Sequence, residues 1–170
     1  MKNKKLILIP GLLIFVLLVV VIIICWKKHE LYEKYRFPNE EVYGKELYSE
    51  ILYACSEYES KIGKEVLDKA VQVAEYTGTK EEAENEIGDV GALSKYYYFD
   101  SKRAVAQETS FQFITCKITG NEGHVWVGTT ILRFDENGKN AGGGGRDMLS
   151  LWYIENRDGE WHVVEAFDTP

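Results

Sequence analysis

The chain has 170 residues and a formal net charge of -7, from 20 basic and 27 acidic side chains. Lys2, Lys4, Lys5, Lys27 and Lys28 precede His29 and every Asp and Glu follows it, so the rest carries 15 basic against 27 acidic residues. That balance argues against nucleic acid as a partner, because phosphate binding draws on Lys/Arg-rich surface, and three Pro with 13% aromatic residues argue against a disordered tail.

A basic tail, residues 1–5, leads into residues 6–26, LILIPGLLIFVLLVVVIIICW, where Cys25 is the one ionisable side chain. At about 1.5 Å per residue such a helix spans roughly 31 Å, close to one hydrocarbon core. Lys4, Lys5, Trp26, Lys27 and Lys28 suit the two interfaces. A cleaved signal peptide has a shorter apolar region and a small-residue cleavage site, and a lipoprotein has small residues before its Cys, whereas Ile22, Ile23 and Ile24 precede Cys25. The expectation is an uncleaved single-pass transmembrane helix, a signal anchor with the lipid bilayer as its partner. Lys2, Lys4, Lys5 and the terminal amine balance Lys27, Lys28, Lys34 and Arg36, so loop charge alone does not orient it. The basic tail ahead of a long span favours a cell-membrane protein whose C-terminal domain is extracytoplasmic.

Residues 27–38 read as a juxtamembrane stalk with Leu31, Tyr32 and Tyr35 on one stripe, ended by Phe37-Pro38 because a residue before Pro avoids helical geometry. The remainder, 39–170, has the commonest domain size. Tyr43, Leu47, Ile51, Leu52, Cys55, Tyr58 and Ile62 recur at spacings of three and four and predict a helix that Gly63 breaks. Val66, Leu67, Ala70, Val71 and Ala74 predict a second helix ended by a left-handed Gly78. Thr79-Lys80-Glu81-Glu82 is a capping box for a third helix towards Ile87.

The period then becomes two, predicting strands over 111–119, 124–135, 147–156 and 161–167. Gly120-Asn121-Glu122-Gly123, Asp135-Glu136-Asn137-Gly138 and Arg157-Asp158-Gly159-Glu160 are turn signals between them, so the sheet is antiparallel. One face is written as Trp126, Thr130, Leu132 and Phe134 beside Trp152, Ile154, Trp161, Val163 and Phe167. The other carries Val125, Val127, Ile131, Leu149, Leu151, Tyr153 and Val164. Both are apolar, so one packs on helices and the other is covered by a loop or a second copy. The fold class is α+β: helices packed on a curved antiparallel sheet of three to four strands.

The C-terminal run LWYIENRDGEWHVV, residues 151–164, resembles the last hairpin of cone-shaped domains of the nuclear transport factor 2-like (cystatin-like) superfamily, and residues 125–135 look like the strand before it. The resemblance implies a cone in which a sheet curls around a helical wall. Some such domains do acid–base chemistry in an apolar pocket; others hang from one N-terminal span and serve as scaffold subunits. The one-span layout here is similar to the second branch.

His29, His124 and His162 show no metal-ligand spacing, and no cofactor motif is present. Cys25, Cys55 and Cys116 read as free thiols, with a Cys55–Cys116 disulfide as the alternative if the domain is outside the cytoplasm. The glycines at 142–145 join two strands and lack the Lys-Ser/Thr of a phosphate loop, so they read as a hairpin loop. Tyr96, Tyr97, Tyr98, Asp100, His124 and Asp135 are the acid–base candidates, of which Tyr97, Asp100 and His124 are retained. The favoured function is a membrane-anchored, non-catalytic binding or assembly module engaging a protein partner or itself. Val125, Trp126, Val127, Trp152, Tyr153 and Trp161 are its candidate surface or pocket. The alternative is a small-molecule sensor, or a cavity enzyme doing acid–base chemistry on an apolar substrate.

Overall fold

The structure, a computed structural model, describes residues 4–97 and 104–169. It divides into two compact units, Met1–Phe37 and Pro38–Pro170. The first unit is helical. Helix α1 runs Lys4–Tyr43, and its last turn, from Pro38, belongs to the second unit. The large apolar side chains between Leu12 and Ile24 are all exposed, the opposite of a core helix. Leu12–Arg36 is long and apolar enough to cross a membrane; an N-terminal signal sequence meets the same criterion. The expected stop at Phe37-Pro38 is overturned. Proline removes one N–H and crowds one carbonyl, which a helix can absorb locally without ending.

The second unit has three layers. Its middle is a four-stranded antiparallel sheet, β1 (Ala106–Thr119), β2 (Glu122–Phe134), β3 (Gly145–Arg157) and β4 (Glu160–Asp168), in the order β1-β2-β3-β4. The sequence-predicted α+β class therefore holds, with the turns where expected. Asp158 and Gly159 both have positive φ, 53° and 94°, the requirement of a tight hairpin that matches strand twist.

On one face lie α3 (Glu57–Glu75), α4 (Lys80–Ile87) and a 3₁₀ segment, Gly91–Tyr96. Ile62, Val66, Ala70 and Val73 of α3 meet Val125 and Val127 of β2, Trp152 and Ile154 of β3 and Val163 of β4 in one buried cluster. Removing each large side chain of this kind from water contributes about 1.5–3 kcal/mol. α4 begins with the Thr79/Glu82 capping box read from the sequence.

The helix expected over 43–62 is not one helix. Gly44, at φ 77°, ends α1; a short helix α2 (Lys45–Tyr48) and a 3₁₀ turn Ser49–Leu52 follow. Gly63 breaks nothing: it sits buried inside α3, which starts instead at Ser56, whose hydroxyl accepts from Glu59 N–H while the Glu59 carboxylate accepts from Ser56 N–H. Helix α3 also stops before Gly78, at an extended Tyr76 (ψ 129°), so the glycine cap expected there is absent.

The other sheet face is covered by residues 39–53 of the same chain. Trp126, Leu149 and Leu151 are fully buried on it. Tyr43 packs edge-on against Trp126, with ring centroids 5.0 Å apart, and its hydroxyl donates to the carbonyls of Leu149 and Phe167 at 3.1 and 3.4 Å. Thr169 Oγ1 bonds Asn39, and Thr115 Oγ1 donates to Tyr53 O at 2.9 Å. Tyr48 and Ile51, also buried, complete this strap.

Face assignment is where the sequence reading fails. Val125 opposes Trp152 and Trp126 opposes Leu151, so Trp126 and Trp152 lie on opposite faces. In β4, Tyr153 pairs with Glu165 but Ile154 with Val163, leaving Val164 as an inserted residue. That bulge puts Val163 on the helix side and Phe167, opposite Leu151, on the strap side. A slip of one residue in register exchanges every side chain between faces, and periodicity alone does not locate bulges.

Candidate functional site

The strands bring one cross-strand row together at the end of the strap face. Lys117 opposes His124, His124 opposes Tyr153, and Tyr153 opposes Glu165. Glu50, delivered by the 3₁₀ turn of the strap, closes over the row. It accepts from Lys117 Nζ at 2.5 Å and lies 2.9 Å from His124 Nδ1. Burial pushes the Glu50 carboxyl up, but hydrogen bonds from Lys117 and His124 reverse this and hold it below the ordinary carboxylate value. Tyr153 stands between two rings, edge-on to His124 at 4.8 Å and to Phe167 at 5.9 Å. Phe167 is 44% exposed on edge strand β4, so part of its ring faces solvent.

The residues singled out from sequence are dispersed by this arrangement. Val125, Val127 and Trp152 belong to the helix-side core, and Trp126 lies under the strap; all four are fully buried. Trp161 is half-buried against the helix-side core. Among the six, only Tyr153 borders the open row. Of the acid–base candidates, Tyr97 is buried in the helix-side cluster and His124 is on the opposite sheet face, so the two do not meet. Asp100, with Tyr98 and Phe99, lies outside the described residues. Asp135 shapes its turn, its Oδ1 accepting from the N–H groups of Asn137 and Lys139.

A second polar constellation is internal. Trp152 Nε1–H donates to Tyr96 Oη at 2.8 Å, and Tyr96 O–H donates to Asp168 Oδ1 at 2.8 Å. Ser150 O–H donates to the same oxygen at 2.5 Å and meets Thr129 Oγ1 at 2.7 Å, while Lys95 Nζ is 2.7 Å from Asp168 Oδ2. Burial, then the Asp168 charge, pushes the Tyr96 phenol far above its ordinary value, so it stays protonated and donates. The donors and acceptors here satisfy one another, which fits a structural brace.

The sequence reading did not single out Glu50, Lys117 or Asp168, and took Phe167 only as a sheet-face residue. Glu50 meets Lys117 and His124 across 67 and 74 residues and Asp168 meets Tyr96 across 72, which no local spacing encodes. Among the described residues no group of three or more His, Cys, Asp or Glu gathers in metal-binding geometry. His162 sits instead near Asp89, with Nδ1 3.6 Å from its carboxylate. Neither a protein-family model nor a curated protein matches the chain.

Proposed function

We propose that the chain is a membrane-anchored, non-catalytic binding module, held by its apolar N-terminal helix, whose C-terminal domain lies outside the cytoplasm and engages a protein partner along β4. The observation that carries this reading is the His124–Tyr153–Phe167 aromatic row running out to an exposed Phe on an edge strand. The Ala166 carbonyl already accepts from Lys95 Nζ and the Phe167 carbonyl from Tyr43 Oη, so the exposed Phe167 ring, rather than the strand backbone, supplies apolar contact to an incoming segment. The helices over the first sheet face and the strap over the second support binding at this rim over the broad sheet-face docking first expected. The resemblance of residues 151–164 to the cone-shaped domains, one branch of which serves as single-span scaffold subunits, agrees with this reading.

The test is site-specific photocrosslinking of the full-length chain in cells, with the photoreactive residue at Phe167 and, as control, at Tyr58, a more exposed aromatic on α3. A dominant protein adduct from position 167 that position 58 does not give is the expected result. The same adducts from both positions, or none from 167, would overturn the reading.

A further inference from the structure

The linker between the strap and α3 crosses the β1 edge, passing from one sheet face to the other. Two hydrogen bonds pin that crossing. On the strap side, Thr115 Oγ1 donates to Tyr53 O at 2.9 Å. On the helix side, Ile118 N–H donates to Glu59 Oε1 at 3.1 Å, and that carboxylate also accepts from Ser56 N–H at 2.7 Å and from Tyr53 O–H at 3.1 Å. Cys55 lies between Tyr53 and Ser56, and Cys116 lies between Thr115 and Ile118. Each cysteine is thus bracketed by residues tied to those that bracket the other, directly at Tyr53–Thr115 and through the Glu59 carboxylate at Ser56–Ile118. Cys116 is fully buried and faces the first turns of α3, where a Cβ on Gly63 would stand 2.9 Å from its own Cβ; Cys55 is half-buried at the rim. Both are free thiols in this structure.

From this geometry we infer that Cys55 and Cys116 form a redox-dependent disulfide that staples the strap–α3 linker to strand β1. The oxidant is a disulfide of the thiol-exchange class, either a small-molecule disulfide such as oxidised glutathione or a protein disulfide carrier. Cys55, the more accessible thiol, attacks as its thiolate one sulfur of that disulfide, breaking the S–S bond and releasing one thiol. The Cys116 thiolate then attacks the Cys55 sulfur of the mixed disulfide and releases the second. The two protein thiols lose two protons and two electrons, and the oxidant ends as two thiols. Burial, with Glu59 and Cys55 adding to it, pushes the Cys116 thiol up to about 12, so the second step is the slow one and quickens with pH. Cys25, in the apolar helix, takes no part. The inference is independent of the proposed docking rim, since neither cysteine borders it.

The experiment uses the full-length chain in detergent, incubated with oxidised glutathione, quenched in acid, alkylated and mapped by peptide mass spectrometry. The expected result is a chain lighter by two hydrogens with a peptide pair linked through Cys55 and Cys116, and a fall of about tenfold in alkylatable Cys55. Cys25 stays alkylatable. Cys55→Ser, a change at the half-buried rim, abolishes the linked pair and leaves Cys116 reduced. A stable glutathione adduct on Cys55, a Cys55 link between two chains, or two thiols that stay free after oxidation would each overturn the inference.

Discussion

Replacing Gly63 by Ala tests the close approach of α3 to the sheet. Helix propensity alone favours Ala over Gly in a helix interior by about 1 kcal/mol, because Gly loses more backbone entropy on folding. Here the added Cβ would overlap the Phe113 ring and stand 2.9 Å from Cys116 Cβ, against the roughly 3.5–4.0 Å of an ordinary carbon contact. The Phe113 ring has room to turn, being half-buried, but Cys116 Cβ is fixed to the β1 backbone, so the helix must lift away from the sheet. Overpacking of that kind costs about 1–3 kcal/mol. The net expectation is destabilisation of up to about 2 kcal/mol, a Tm lower by several degrees. Denaturant unfolding of the detergent-solubilised chain, followed by tryptophan fluorescence, measures it. Phe113→Ala should leave most of the penalty in place, with a coupling below about 0.5 kcal/mol in the double-mutant cycle, because the unyielding contact is Cys116 Cβ. A Gly63→Ala variant that gains the full propensity benefit would refute the close-packing argument.

Tyr96→Phe leaves Trp152 Nε1–H buried without its acceptor and takes one donor from Asp168, so it should cost about 1–3 kcal/mol in urea unfolding; an unchanged midpoint would show that the internal network does not brace the fold. Burial raises the Glu59 carboxyl, but Ser56 and Ile118 N–H groups with the Ser56 and Tyr53 hydroxyls bring it below its ordinary value. A depressed folded value stabilises above the unfolded carboxylate value and loses that stabilisation as pH falls through the folded value. Glu59→Gln should therefore be less stable than wild type at pH 7, with the gap closing below about pH 4; a pH-independent gap would assign the loss to packing. Glu50→Gln frees Lys117 and His124 from the strap, and limited proteolysis within residues 44–53 should accelerate, whereas an unchanged cleavage rate would mean that Tyr43 and Asn39 hold the strap unaided. Phe167→Ser should weaken capture of the crosslinked partner while costing about 1 kcal/mol of stability, because the side chain is 44% exposed and loses only its partial burial beside Tyr153.

The α+β order, the four strands and their turns were legible because each rests on local chemistry. Two-residue alternation between Asp/Asn/Gly clusters makes hairpins, and Thr79 with Glu82 caps α4 through bonds within one turn. Gly63 and Gly78 misled for a related reason. Glycine marks a break only when nothing else explains its missing side chain, and at Gly63 the explanation is Phe113 and Cys116, fifty residues away in sequence. The N-terminus of α3 was written plainly as Ser56-Glu57-Tyr58-Glu59, a capping box hidden inside an apolar periodicity that ran past it. The candidate site was barely legible, since Glu50, Lys117, His124, Tyr153 and Phe167 come from the strap and all four strands.

By itself the sequence determined the apolar N-terminal helix, the fold class, the order of elements and the hairpin positions, because these follow from composition, period and turn residues within short windows. Only the tertiary structure decided which sheet face each aromatic occupies, what covers the second face and which polar groups meet. Those outcomes depend on strand register and on bulges at Val164 and beside Phe113, where one inserted residue exchanges inside for outside. They depend equally on residues 39–53, whose buried Tyr48 and Ile51 carry helical spacing but choose their face of the sheet only once the strands have assembled.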